Sequence, residues 1–221
     1  MHNRFSQPHL FILLFMLGVL LAIVQLGLVT IAFEKLGLSQ TSAFLLLFSS
    51  LIGSSINLPL FSIHSEADPD AEPPQLLGLL QLSHIPFNGE TIIAVNVGGC
   101  LIPLGFTLYL LIHHEINLFS LLAALICVSL ICFKISRPIS GIGIGMPILV
   151  APISAALFAL MLQPEQSAAL AYITGTLGVI IGADMLHLKD IRKMPTPVAS
   201  IGGAGTFDGI FLTGLLAVLL A

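Results

Sequence analysis

Charge is what this chain has least of. Of its 221 residues only 7 are Lys or Arg and 11 are Asp or Glu, about a third of the charged share of a soluble domain. With 57% of residues apolar before the 20 glycines are counted, a globule of this size would lack the polar surface to cover itself in water, which excludes a soluble enzyme. The same apolar content excludes a disordered chain, and glycines without a strict period exclude collagen. Clustered basic residues are missing too. The densest group is Lys189, Arg192 and Lys193 and the net charge is −4, so no nucleic-acid partner is expected. Cys100, Cys127 and Cys132 lie in apolar runs without paired metal-type spacing and read as small core residues. There is no HExxH, no GxSxG elbow and no Walker A sequence, which argues against a metal site, a serine intramembrane protease and ATP-driven work by this chain alone. No metal and no cofactor are expected.

What is present is a series of apolar runs, and a hydrocarbon core needs about 20 helical residues to cross. Runs at about 10–33, 41–63, 91–112, 118–133, 147–162, 168–183 and 198–221 predict an all-α, polytopic membrane helix bundle of about seven spans forming a single domain. Residues 64–75, with four acids and three prolines, read as a soluble loop. Residues 76–90 and the glycine-rich 138–147 are candidates for interfacial or re-entrant segments. Arg4, Lys134, Arg137, Lys189, Arg192 and Lys193 fall on one side of the seven-span scheme and only Lys35 on the other. The positive-inside rule then places the amino terminus and the acidic loop in the cytoplasm, the carboxyl terminus outside, and the chain in the cell inner membrane as a multi-pass protein.

Ionisable groups inside a span are costly and need a reason. Asp208 precedes the end of the chain by 13 residues, about 20 Å of helix, and Asp184 lies about 24 Å from the start of its span at Ala168. Consecutive antiparallel helices would bring the two carboxylates to a similar depth. Asn96 falls at the same depth by the same arithmetic, with Asn57 and Glu90 toward the cytoplasmic ends of their spans. Gly178 and Gly182 on the sixth run, and Gly203, Gly205 and Gly209 on the seventh, allow close helix packing. His187, three residues after Asp184, is a further polar neighbour. With Glu90 and Asp208 it is also a weak candidate for metal ligation. Two carboxylates sharing one site hold a single proton between them, an arrangement used both by aspartyl hydrolases and by proton or cation sites in transporters. Helix capping or bonds from loop amides would also account for either aspartate.

The stretches Ile56-Asn-Leu-Pro59, Thr91-Ile-Ile-Ala-Val-Asn-Val-Gly-Gly99, Gly182-Ala-Asp-Met-Leu-His-Leu-Lys-Asp190 and Ser200-Ile-Gly-Gly-Ala-Gly-Thr-Phe-Asp-Gly-Ile-Phe211 carry a resemblance. Over most of its length the chain resembles an uncharacterised prokaryotic family of polytopic membrane proteins, a domain of unknown function. A weaker similarity is to the GxGD intramembrane aspartyl proteases, the presenilin and signal peptide peptidase group, in which two catalytic aspartates lie on consecutive helices. Gly205-Thr-Phe-Asp208 looks like a shifted version of the second motif of that group. That similarity implies Asp184 and Asp208 as a catalytic pair, supported by Asn96 or Glu90. Three functions stay open on the residues themselves: an intramembrane aspartyl hydrolase acting on transmembrane peptides, a transporter or channel for protons, small ions or a polar solute, and a non-catalytic assembly component. The lipid bilayer is the expected partner, and the glycine faces are compatible with a homo-oligomer.

Overall fold

The computed structural model describes residues 27–66, 89–139, 143–194, 196–203 and 209–221. Helix α1 is described from Gly27 to Lys35 and stops where Gly37 takes a positive φ of 74°, the left-handed conformation that commonly ends a helix. Ser39 then caps α2 (Gln40–Gly53) by accepting the Ser42 amide, and α2 leaves at 113° to α1. Later helices are α3 (Ile102–His113), α4 (Leu118–Ile135), α5 (Val150–Leu162), α6 (Ser167–Val179), the short α7 (Leu188–Ile191) and α8 (Gly209–Leu220). Two widened π-turns interrupt this pattern: Val97–Leu101 leads into α3, and Ile180–Met185 continues α6.

The fold is mainly helical, not all-α. Strands β1 (Asn57–His64), β2 (Glu90–Asn96) and β5 (Val198–Ile201) form one sheet in the order β1-β2-β5, antiparallel and then parallel. Strands β3 (Arg137–Ile139) and β4 (Gly143–Gly145) form a hairpin, so the glycine-rich 138–147 segment is partly extended. The expected second, third and seventh spans are corrected accordingly: residues 57–63, 91–96 and 198–201 are strand rather than helix. Local features favour extended backbone at the first two. Leu58 precedes Pro59, a position that disfavours the helical region, and Thr91-Ile-Ile-Ala-Val95 is rich in β-branched residues. Of the other non-helical expectations, residues 67–88 lie outside the described residues.

Among the described residues two helices are long and apolar enough to cross a membrane, Leu118–Ile135 and Pro164–Met185, or three if the bent α1–α2 pair counts as one span. Val97–His113, Val150–Leu162 and Ile210–Leu220 are apolar but shorter. The helices alternate between two ends of the molecule. At one end His114 Nδ1 meets Gln166 Oε1, Gln163 Nε2 donates to Glu115 O, and Ser167 Oγ donates to Ala221 O. At the other, Ser65 Oγ donates to Arg192 O and Thr91 Oγ1 to Thr196 O. Lys35 belongs to the first end, where its ammonium reaches the Val218 and Leu219 carbonyls at 3.3 and 3.4 Å and neutralises the negative end of α8. Lys35→Met is expected to lower stability by about 0.3–1 kcal/mol, the usual worth of a cation at a helix C-terminus. A thermal melt in detergent reads this, and an unchanged midpoint would reduce the contact to a solvated one.

Helix α4 shows what solvent this surface is built for. Its inward face is Ser120, Ala124, Val128 and Cys132, while Phe119, Leu122, Ile126, Leu130 and Phe133 point out. Small residues inside and large apolar ones outside invert the soluble pattern, and suit helices packing in hydrocarbon. Helix α5 repeats it, with Ala151, Ala155 and Ala159 buried and Ile153, Leu157 and Met161 exposed. A lysine at the centre of such a face costs about 2.5–3.5 kcal/mol on insertion scales. Ile126→Lys should therefore impair membrane insertion in a glycosylation-mapping assay, and normal insertion would show that α4 does not face lipid.

Candidate functional site

Two polar centres lie toward the sheet end of the bundle. The first is a joint made where α2, β1, β2 and β5 come together. Asn57 and Asn96 are register partners across β1 and β2. Asn96 is fully buried, and its Nδ2 donates to Ser54 O at 2.6 Å and to Asn57 Oδ1 at 3.0 Å. Its Oδ1 accepts the Gly99 amide at 2.7 Å, capping the π-turn that starts α3. Ser200 of β5 donates to the same Asn57 oxygen at 2.6 Å, so one cluster of side chains ties three strands and two helix ends together. Ser50 Oγ adds a bond to Gly98 O at 2.5 Å.

Glycine makes this joint possible. A Cβ on Gly98 would run into Ser50 O and Ser54 N, and one on Gly99 would run into Gly202 O. Gly202 has φ +85°, and a Cβ there would sit 2.7 Å from Cys100 N. The sequence marks Asn57 and Asn96 as polar support for the aspartates, and the structure brings the two together in this joint. Ser200 and the Ser50 and Ser54 contacts were missed, because they come from segments far apart in the chain. Gly98, Gly99 and Gly202 were visible only as glycines within the quoted motifs.

The second centre is the π-turn Ile180–Met185. Asp184 lies in it, half-buried with Oδ2 enclosed. Gly178 and Gly182 of the same stretch pack on α4: added Cβ atoms would press on Val128 at 178, and on Ser129 and Cys132 at 182. The close approach of α6 to α8 runs instead through Gly175, whose Cβ would lie 3.3 Å from the Thr213 methyl, and Gly214, whose Cβ would lie 2.8 Å from Thr176 Oγ1 and from the Tyr172 ring. Asp184 stands two residues beyond Gly182 in the same π-turn. Strands β4 and β5 both touch this π-turn.

His187 is buried, its Nδ1 3.2 Å from Gly182 O and its ring 4.8 Å from that of Phe133. Glu90 is exposed at the opposite end of β2 from Asn96 and faces His64, about 20 Å away along the strand. Both amide hydrogens of Asn96 are committed to the joint, so its support of a carboxylate would act through the backbone it holds. Gly203, at φ +92°, turns the chain after β5 and donates its amide to Ser200 O. Gly209 begins α8, while Asp208 and Gly205 lie outside the described residues. Among the described residues no group of three His, Cys, Asp or Glu side chains is placed to hold a metal ion.

Residues 51–220 match the model of the family described as Protein of unknown function (DUF1614), and the chain belongs to that family. No curated protein and no solved structure matches the chain.

Proposed function

We propose that this DUF1614 member is a multi-pass protein of the cell inner membrane in which Asp184 and Asp208 form a working acid pair, and that the pair acts as an intramembrane aspartyl hydrolase on transmembrane peptides. The observation that carries this reading is the setting of Asp184. It is an acid one residue before the end of a candidate span, half-buried in a widened turn. Widened π-turns recur at functional sites, and an acid at such a depth is a functional candidate by default. Strand β5 touches this turn, and the chain runs on from β5 through the Gly202–Gly203 bend toward position 208. Helices α6 and α8, which flank the two acids in sequence, pack directly on each other. In the proposed reaction one carboxylate takes a proton from water while the other donates one to the scissile carbonyl.

The proposed orientation has the sheet end in the cytoplasm. Among the described residues Lys134, Arg137, Lys189, Arg192 and Lys193 lie in segments at that end and Lys35 at the other, which is the asymmetry the positive-inside rule reads.

A transporter or channel for protons or cations is the second reading. The 113° break between α1 and α2 and the π-turn at 180–185 favour it, since broken helices are how transporters build ion sites. Purified protein in liposomes with a fluorogenic transmembrane peptide separates the two. On the hydrolase reading Asp184→Asn and Asp208→Asn each abolish cleavage, and a transition-state-analogue inhibitor of aspartyl proteases labels the wild type. Cleavage that survives both substitutions sinks this reading, and Asp-dependent proton flux without cleavage selects the other.

A further inference from the structure

We propose that His187 is a positioning residue for Asp184, a role that rests on the acid-pair reading above. The π winding closes with the Leu186 amide donating to Ile181 O. The next carbonyl, Gly182 O, takes the His187 imidazole instead, at 3.2 Å. A carbonyl only accepts, so Nδ1 carries the proton in this contact and the ring is a donor there. The bond closes a ring of backbone from 182 to 187, with Asp184 inside it.

A widened turn lacks the regular bond pattern that holds an α-helix rigid. Here the His187 side chain adds a bond one residue beyond the closing Leu186 amide, and the protein holds that side chain in place. The imidazole is 5% exposed and lies against Phe133 of α4 at a centroid distance of 4.8 Å. Gly182 is itself pressed on Ser129 and Cys132 of the same helix. Both ends of this side-chain bond are thereby anchored to α4, and the turn that carries Asp184 also touches β5. His187 touches no substrate in this scheme. It sets where the Asp184 carboxyl stands.

The test reads Asp184 directly, without any assumption about the reaction. Dicyclohexylcarbodiimide reacts with protonated carboxyls in apolar surroundings, and the adduct on Asp184 is quantified by mass spectrometry of the full-length protein in detergent. His187→Leu keeps bulk against Phe133 and removes the donor, whereas His187→Asn removes the ring and keeps a donor nitrogen at the position of Nδ1. The expected result is a change of about two- to tenfold in the labelling rate for His187→Leu, the worth of one hydrogen bond, with His187→Asn restoring the wild-type rate. Equal labelling of wild type and both variants overturns the proposal. So does equal disturbance in both, which would assign the effect to ring packing. If His187→Leu fails to fold, His187→Gln replaces it, since its nitrogen lies one bond too far out to reach Gly182 O. Asp184 cleavage data stand apart from these outcomes: a labelling rate indifferent to His187 removes the positioning role and leaves the acid pair as it was.

Discussion

Asn96→Leu is expected to be among the most damaging single substitutions in this protein. The leucine has nearly the same volume, so packing is not the main issue. It removes both hydrogens given to Ser54 O and Asn57 Oδ1, and the oxygen that accepts the Gly99 amide. Asn96 is fully buried, so water cannot replace these partners. An orphaned buried polar group costs about 1–3 kcal/mol. Ser54 O and the Gly99 amide are the two left exposed to that cost, since Asn57 Oδ1 keeps the Ser200 hydroxyl. The sum is about 2–6 kcal/mol, a large share of a typical folding free energy of about 5–15 kcal/mol. Thermal melts in detergent, with membrane abundance as a second readout, check this. Asn57→Leu should be milder, because that side chain is exposed. Equal stability of Asn96→Leu and wild type would mean that the joint is not what holds the sheet to the bundle.

Gly98→Ala should do comparable harm by a different route. The new methyl would enter the space of Ser50 O and Ser54 N at the end of α2. Both are backbone atoms held by the α2 ladder, and the Ser54 amide itself donates to Ser50 O at 2.9 Å. A flexible side chain could turn aside, but this helix end can only back away as a unit. Doing so would stretch the 2.5 Å bond from Ser50 Oγ to Gly98 O. Overpacking of a rigid site costs about 1–3 kcal/mol and occasionally more, and here a hydrogen bond is lost with it. Gly105→Ala is the matched control, since a Cβ there meets nothing within 4 Å and alanine is the better helix former. Gly98→Ala tolerated as well as Gly105→Ala would contradict the close approach of α2 to the π-turn.

These two predictions also mark how far the chain could be read without its fold. Asn96 was legible because an amide in an apolar run demands partners. Its setting was not, since Ser54 contributes only a carbonyl and Ser200, which completes the joint through Asn57, lies 143 residues from that side chain. Asp184 stood out for the same reason as Asn96, and the depth arithmetic placed it at the end of its helix. The π winding that holds it has no sequence signature of its own. Gly178 and Gly182 were recognised as a packing face, but spacing says which residues share a face and nothing about which helix meets it. Residues 57–63 and 91–96 read as span because a short apolar run suits a strand as well as a helix. Pro59 and the β-branched Thr91-Ile-Ile were the local hints.

By itself, then, the sequence pointed to the solvent: so few charges and so long a succession of apolar runs suit hydrocarbon, and among the described residues two to three helices are long and apolar enough to cross a membrane. It also determined the segments at which polar groups would have to be housed, because each buried amide or acid has a local cost that composition alone reveals. The tertiary structure decided what houses them. Hydrogen bonds and backbone approaches between distant segments select strand over helix at 57–64, 90–96 and 198–201, and set Asn57, Asn96 and Ser200 on a single joint. The physical reason is that apolar burial is nearly indifferent to direction, so it fixes how much of the chain is buried. Hydrogen bonds are directional, and only the folded arrangement brings their two ends together.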